Sequence, residues 1–440
     1  MTNGERLPVG AILLFGALGF AVLRQGAYHQ WQHQVFAVLV GVAATTMVAS
    51  RGGRAGLLTG ALLISPLLLS TAVSLVFAQD RSDAGSTVLE ILMVGVGVAV
   101  GLSIPRSTRD LAVHAILLIG LVVAATAIWG VATHTNPWGR VTEGVWRGSS
   151  SLTYANAAAS VCGPLALLAF ARSTLADCRL HAVATVVLTI GFASTQSRGG
   201  ALALAITGIG LVAYLGLRRA AAAALPVLLG VAVGTPLLLA LAPTSATPST
   251  ALVAIAIGAG AALTAVAWPY RDRVGQPVLT LGALLAVSLA IGLLTGLTNP
   301  ITERFTLRSA TTAQGAEAEV LFGDRAKEWS TAWGEITERP IVGHGPGAVD
   351  LRWEDDGRRF RALFVHNEYL ELAVTHGVTG IAALIASAAL AARAVRLDEQ
   401  TWPLVFAVTA FLLHSAVDFL WHIPALPVLF GLIVGLMRQR

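Results

Sequence analysis

Three side chains in this sequence have types and neighbours that suit a reaction at a phosphate-bearing, hydroxyl-bearing substrate. His366 stands in Val365-His366-Asn367-Glu368-Tyr369-Leu370-Glu371, which runs on to His376-Gly377-Val378-Thr379-Gly380. An imidazole takes a proton from a hydroxyl near neutral pH, although a lone histidine on a helix is more often structural. Arg198, in Thr195-Gln196-Ser197-Arg198-Gly199-Gly200, lies between two apolar runs with almost no loop. It reads equally as an arginine snorkelling to an interface. The two glycines behind it would let a phosphate come close, and a guanidinium suits bidentate phosphate recognition. Arg325, in Gly323-Asp324-Arg325, falls one helical turn before Trp329 and on nearly the same face. A surface helix with a solvated charge is the plain alternative.

Two further pairs could support such a site. His414 and Asp418 are one turn apart near a helix end, placed to orient a reacting group or to pair with each other. Tyr154 and Asn156 enter an apolar run and could line a donor cavity. Metal chemistry is the competing idea, because His366, Glu368, Glu371 and His376 are ligand-rich. Their spacing is not HExxH and gives no i, i+4 histidine pair, so we expect no metal and no cofactor. Pro340–Gly347 is a glycine turn that lacks the Lys-Ser/Thr end of a phosphate loop.

The elements that must position these residues are membrane spans. The chain is 55% hydrophobic and 12% charged, where soluble domains carry about 25% charged residues. Apolar runs long enough to cross a hydrocarbon core of about 30 Å recur along almost its whole length. Unbroken apolar character excludes a barrel of alternating strands. The expected fold is therefore all-α, a polytopic transmembrane bundle of about 12–14 spans. The spans fall near 7–23, 35–49, 55–77, 86–104, 111–133, 151–171, 182–196, 199–217, 220–242, 250–268, 277–298, 377–392, 401–417 and 423–437. The Ala-rich stretch 220–298 has the weakest boundaries. Leu7–Leu23 lacks a cleavage site and reads as an uncleaved first span.

Three regions follow: a bundle over 1–298, a polar insert over 299–365, and C-terminal spans over 366–440. The insert holds nine Lys/Arg and eleven Asp/Glu, and structureless connections of that length generally bind or cover something. Within it Trp329, Trp333 and Ile336 recur at i, i+4, i+7, which suits a short amphipathic helix at headgroup level.

Charge sets the expected orientation. The N-terminus, the even-numbered loops and the C-terminus hold fifteen Lys/Arg, against five in the odd-numbered short loops. The positive-inside rule then makes both termini cytoplasmic. The insert, Arg198 and His366 share the extracytoplasmic face. A reaction there has no ATP to draw on and needs a donor that arrives already activated. The net charge of +5 is spread in ones and twos, which argues against nucleic acid. Cys162 and Cys178 form neither a disulfide framework nor a CxxC site.

Taken in order, Tyr154-Ala155-Asn156, Ser197-Arg198-Gly199, Gly323-Asp324-Arg325 with Trp329, the Pro340–Gly347 turn, His366-Asn367 with Gly377 and Gly380, and His414 with Asp418 resemble the O-antigen ligase/polymerase family of bacterial membrane glycosyltransferases. The resemblance covers about residues 150–435. It implies transfer of a glycan from a polyprenyl-diphosphate carrier, such as undecaprenyl diphosphate, to a hydroxyl of a glycan, lipid or protein acceptor. It further implies a metal-independent, inverting reaction with His366 as general base and Arg198 and Arg325 on the diphosphate. Tyr154, Asn156, Asn367, His414 and Asp418 join the substrate-binding set on the same ground. The alternative is a secondary transporter or flippase of envelope precursors, which predicts mid-span ionisable residues and broken helices. Glu90 and His114 are close to span ends, and most span interiors carry no charge.

Overall fold

The structure, a computed structural model, describes residues 6–78, 81–142, 144–272, 323–355, 358–395 and 397–437. The expected span 277–298, the first part of the insert and Arg438 and Arg440 lie outside them. Among the described residues, ten apolar helices precede the insert. They are α1 (Val9–Leu23), α2 (Gln30–Val48), α3 (Arg51–Phe77), α4 (Ala84–Ser103), α5 (Arg109–Thr133), α6 (Ala155–Ala176), α7 (Arg179–Thr195), α8 (Arg198–Leu215), α9 (Leu217–Leu239) and α10 (Thr250–Ala267). The insert contributes the amphipathic α11 (Gly323–Glu338), and α12 (Glu368–Ala394), α13 (Trp402–Ser415) and α14 (Ala425–Leu436) follow. Among the described residues nine helices are long and apolar enough to span a membrane, and four apolar ones are shorter. The chain is an all-α, multi-pass membrane protein.

Small residues set the packing. Side chains facing lipid gain little from burial against one another, so membrane helices associate where backbones can approach. A Cβ on Gly101 of α4 would lie 2.3 Å from the Leu432 carbonyl oxygen of α14, and one on Gly435 would lie 2.2 Å from that of Val98. These two glycines, with Gly97 of α4 and Gly431 of α14, let the two helices approach backbone to backbone. The main core joins α1, α2, α4 to α7, α13 and α14 through residues such as Leu14, Phe36, Ile116, Leu165 and Leu429.

Two departures from the all-helical expectation are short antiparallel hairpins. β1 (Gly139–Thr142) pairs with β2 (Val145–Gly148), and β3 (Leu351–Asp355) with β4 (Arg358–Ala362). In the second, alternation puts Leu351, Trp353, Phe360 and Ala362 on one face. Leu351 is buried there beside Ala332, Val349 and Val365, with Trp329 and Ile336 of α11 packed on them. Trp329 and Ile336 are thus covered by protein rather than laid on the headgroups, while Trp333 is exposed. The insert has a small apolar core of its own.

The last long span also differs from expectation. It begins at Glu368, not 377, and breaks at Gly377, whose φ of 62° and ψ of −157° are not helical. The Pro340–Gly347 turn is docked on that break. His344 N–H donates to the Val374 carbonyl and Gly345 N–H to that of Thr375, at 2.9 and 3.0 Å. Val378 and Thr379 N–H donate to the carbonyls of Pro340 and Ile341, at 2.8 and 3.2 Å. A Cβ at Gly377 would lie 2.4 Å from the Ile341 carbonyl carbon, and one at Gly343 equally close to that of Thr375. The missing side chains of Gly343 and Gly377 allow this close contact.

Candidate active site

The polar residues at one end of the bundle converge on a buried carboxylate. Asp418 lies between α13 and α14 and is 1% exposed. Its Oδ1 accepts from the Tyr154 hydroxyl at 2.6 Å and the Phe419 N–H at 3.0 Å. Its Oδ2 accepts from Asn156 Nδ2 at 2.5 Å and faces Arg325 Nη2 at 3.5 Å. A buried carboxylate is tolerated when donors surround it, and here four do. Asn156 Nδ2 also donates to the Tyr154 oxygen, at 3.0 Å. Burial and the neighbouring carboxylate hold the Tyr154 phenol well above its usual pKa, so it serves as a donor.

Arg325 reaches this centre from α11. Its Nη1 donates to the Val417 carbonyl at 2.8 Å, so the guanidinium is held on two sides. The network continues through Arg147 of β2, whose Nη2 donates to Asn156 Oδ1 at 3.1 Å and whose Nε donates to the Thr195 carbonyl at 2.8 Å. Arg147 is buried. The spacing of charges in the sequence marked it only as a loop cation.

His366 lies immediately before α12, and Glu328 of α11 holds it twice. Glu328 Oε1 accepts the His366 backbone N–H at 2.5 Å, and Oε2 faces Nδ1 at 2.8 Å. Trp329 Nε1 donates to the His366 carbonyl at 3.3 Å, and the imidazole sits edge-on to Phe419, 4.9 Å between centroids. Burial opposes a charge on this ring. The hydrogen bond to Glu328, its charge and that of Asp418 outweigh burial and the opposing Arg325, and the His366 pKa lies above its usual value. Glu328 escaped the sequence reading. Its one signal was a position three residues after Arg325, on the same side of the helix.

Asn367 caps α12, its Oδ1 accepting from the N–H groups of Tyr369 and Leu370 at 3.0 and 3.1 Å. His414, near the end of α13, is buried with Nε2 3.4 Å from Ser197 Oγ. Ser197 caps α8, and Arg198 is that helix's first residue. The adjoining Gly199 packs on Val417 and His414. The structure thus brings Tyr154, Asn156, Arg325, His366 and Asp418 into one cluster, with Arg198 and His414 at the neighbouring helix ends.

Behind His366 lies a second set of charges. Glu371 Oε2 accepts the Val365 N–H at 2.7 Å, Glu368 accepts the Trp421 N–H, and His422 Nε2 lies 2.5 Å from Glu371 Oε1. Burial works against a charged His422, yet Glu371, Glu368 and the more distant Glu90 lift its pKa to about 10. It is an imidazolium that tethers the loop after α13 to the start of α12. The ligand atoms of Glu368, Glu371 and His422 lie within 4.8 Å of one another, a spacing that could also hold a cation. His376 is not part of this set. It bonds Thr71 Oγ1 through Nε2 at 3.1 Å and Thr375 Oγ1 through Nδ1 at 2.8 Å, at the break in α12.

The sequence model of one protein family, O-antigen ligase, matches residues 235–385. That stretch contains Arg325, Glu328, His366 and Asn367, while Tyr154, Asn156, Arg198, His414 and Asp418 lie outside it. A search of curated proteins found no match.

Proposed function

We propose, from the premise that this chain is a membrane protein related to the O-antigen ligases over residues 235–385, that it transfers a glycan from a lipid diphosphate to an acceptor hydroxyl. The coarser statement, a glycosyltransferase-like ligase or polymerase of the membrane, rests on that match. The finer one rests chiefly on the paired contact of Glu328 with His366 beside the Arg325–Asp418 centre.

In this reading Nδ1 of His366 carries the proton shared with Glu328, which leaves Nε2 to take the acceptor's proton. As the anomeric bond to the carrier breaks, negative charge grows on the departing diphosphate. Arg325 presents five N–H directions in a plane, two of them engaged by Val417 and Asp418. The rest are fixed in place for the oxyanion before it forms, which is when a donor is most effective. Asp418 orients the guanidinium, and its donors Tyr154 and Asn156 disperse the carboxylate's charge. Arg198 is the second cation for the diphosphate, and His414 backs the turn that carries it. Attack from the face opposite the leaving group inverts the anomeric centre. The prenyl tail lies among the helices, both termini are cytoplasmic, and the site opens on the extracytoplasmic side.

The test is purified protein in liposomes with an undecaprenyl-diphosphate-linked glycan and a hydroxyl acceptor, read as glycan-acceptor product and released lipid diphosphate. Product from the wild type and none from His366→Ala supports the reading. Full turnover by His366→Ala overturns it.

A further inference from the structure

The segment 416–424, which joins α13 to α14, touches both halves of the site. Asp418 gathers Tyr154, Asn156 and Arg325. Phe419, the next residue, stacks on Tyr154 at 5.1 Å and on Phe364 at 5.4 Å, with planes 16° and 18° apart. It also meets the His366 ring edge-on. Trp421 N–H donates to Glu368, and its indole stands at 87° to the Tyr369 ring. His422 follows. Its ring centroid lies 4.5 Å from that of Phe364, and its Nε2 is 2.5 Å from Glu371 Oε1 and 3.8 Å from Glu368 Oε2.

His422 has no part in the reaction described above, yet it governs the two residues directly before the base. Its ring covers Phe364. Val365 N–H donates to Glu371 Oε2 at 2.7 Å, and the other oxygen of that carboxylate faces His422. Val365 is fully buried, and Glu371 and Glu368 are 6% and 3% exposed. Two carboxylates so close and so deeply buried repel each other and require a cation. His422 supplies it. Without it Glu371 must take up a proton or turn towards water, and its hold on Val365 N–H weakens either way.

His366 is therefore gripped from two directions. Glu328 of α11 binds its backbone N–H and its ring, while Glu371 and His422 bind the chain that leads into it. We propose that His422 is a positioning residue, which through Glu371 and Phe364 fixes the main chain before His366 and so sets the distance from the imidazole to the Asp418 centre on its own segment. This rests on the reading of His366 as the base. A misplacement of about 1 Å costs about 10²-fold in rate. Donor binding should be spared, because Arg325 is held by Val417 and Asp418, contacts in which His422 takes no part.

The experiment measures kcat and KM separately in proteoliposomes supplied with undecaprenyl-diphosphate-linked glycan, for the wild type, His422→Phe, His422→Phe with Glu371→Gln, and His366→Ala. Thermal unfolding checks that each variant is folded. His422→Phe keeps a ring on Phe364 and removes the charge and the N–H. It should lower kcat about 10²-fold and leave the donor KM within about twofold of wild type. Adding Glu371→Gln should restore most of the lost kcat, because an uncharged amide oxygen accepts from Val365 N–H with no cation beside it. If His422→Phe does not fold, His422→Gln, which retains one donor for Glu371, takes its place with a smaller loss and the same rescue. A wild-type kcat in the folded variant, a rise in donor KM that accounts for the loss, or no rescue by Glu371→Gln overturns the proposal. In each of these cases an inactive His366→Ala still supports the reaction itself, whereas turnover by His366→Ala overturns both. Loss of wild-type turnover in a chelator of divalent cations would make Glu368, Glu371 and His422 the ligands of an ion, and also overturns the proposal.

Discussion

The carboxylate of Glu328 bridges the backbone N–H and the Nδ1 of His366, at 2.5 and 2.8 Å. One side chain therefore sets both where the residue stands and which of its ring nitrogens carries the proton. A base so held does not have to search for its tautomer.

Removing the imidazole should be the most damaging change. General bases contribute about 10²–10⁴-fold, so His366→Ala is expected to lose at least that much in kcat. Binding of the lipid-linked donor, measured by co-purification or by protection from thermal unfolding, should persist. Loss of binding alongside turnover would mean that the histidine holds substrate instead.

Glu328→Gln should act on the pH profile. Glu328 raises the His366 pKa, and the base works in its neutral form, so the rate rises as pH passes upward through that pKa. With the carboxylate gone the folded-state pKa falls, and the ascending limb moves to lower pH. The plateau rate falls too, because the neutral amide supports the developing imidazolium less. A profile that keeps its midpoint would dissociate Glu328 from proton transfer.

Asp418→Ala should destabilise the fold by about 3–5 kcal/mol, the usual result of stripping one partner from a buried ionic network. Tyr154, Asn156 and Arg325 would all lose an acceptor. Thermal unfolding in detergent checks the size. Asp418→Asn, which keeps the shape but supplies only one acceptor oxygen, should fall between.

Gly377→Ala should be worse than its small volume suggests. Its φ of 62° with ψ of −157° is open to glycine almost alone, at a cost of roughly 1–3 kcal/mol for other residues. The added methyl would also collide with Ile341 at 2.4 Å. Limited proteolysis within 339–347 should speed up in this variant and not in Gly334→Ala, where a Cβ meets nothing within 4 Å.

Much of this was legible before any coordinates. Thirteen of the expected spans have a helix at their position, because apolar runs of that length have few other outcomes in lipid. Arg325 reads as lying on the Trp329 face of its helix, turned towards the membrane side; the contact it makes there, with Asp418, lies beyond that reading. What escaped was tertiary. Glu328 meets a histidine 38 residues away, and only its place one turn after Arg325 separates it from Glu335 or Glu338. Arg147 and His422 read as stray polar residues because their partners, Asn156, Thr195 and Glu371, come from other elements. The β3–β4 hairpin did leave a trace. Leu351-Arg352-Trp353 and Phe360-Arg361-Ala362 alternate around Asp356-Gly357, a familiar hairpin pairing hidden by the surrounding charge.

The turn at Pro340–Gly347 does more than fill space. An unbroken α12 would send the N–H groups of Val378 and Thr379 to the carbonyls of Val374 and Thr375. At Gly377 all four groups are instead matched by Pro340, Ile341, His344 and Gly345. The polar insert is in effect a splice in a membrane helix. Exchanging it for a short linker would leave four backbone groups bare near the hydrocarbon, each at a cost of several kcal/mol. Insert and span can only be transplanted together.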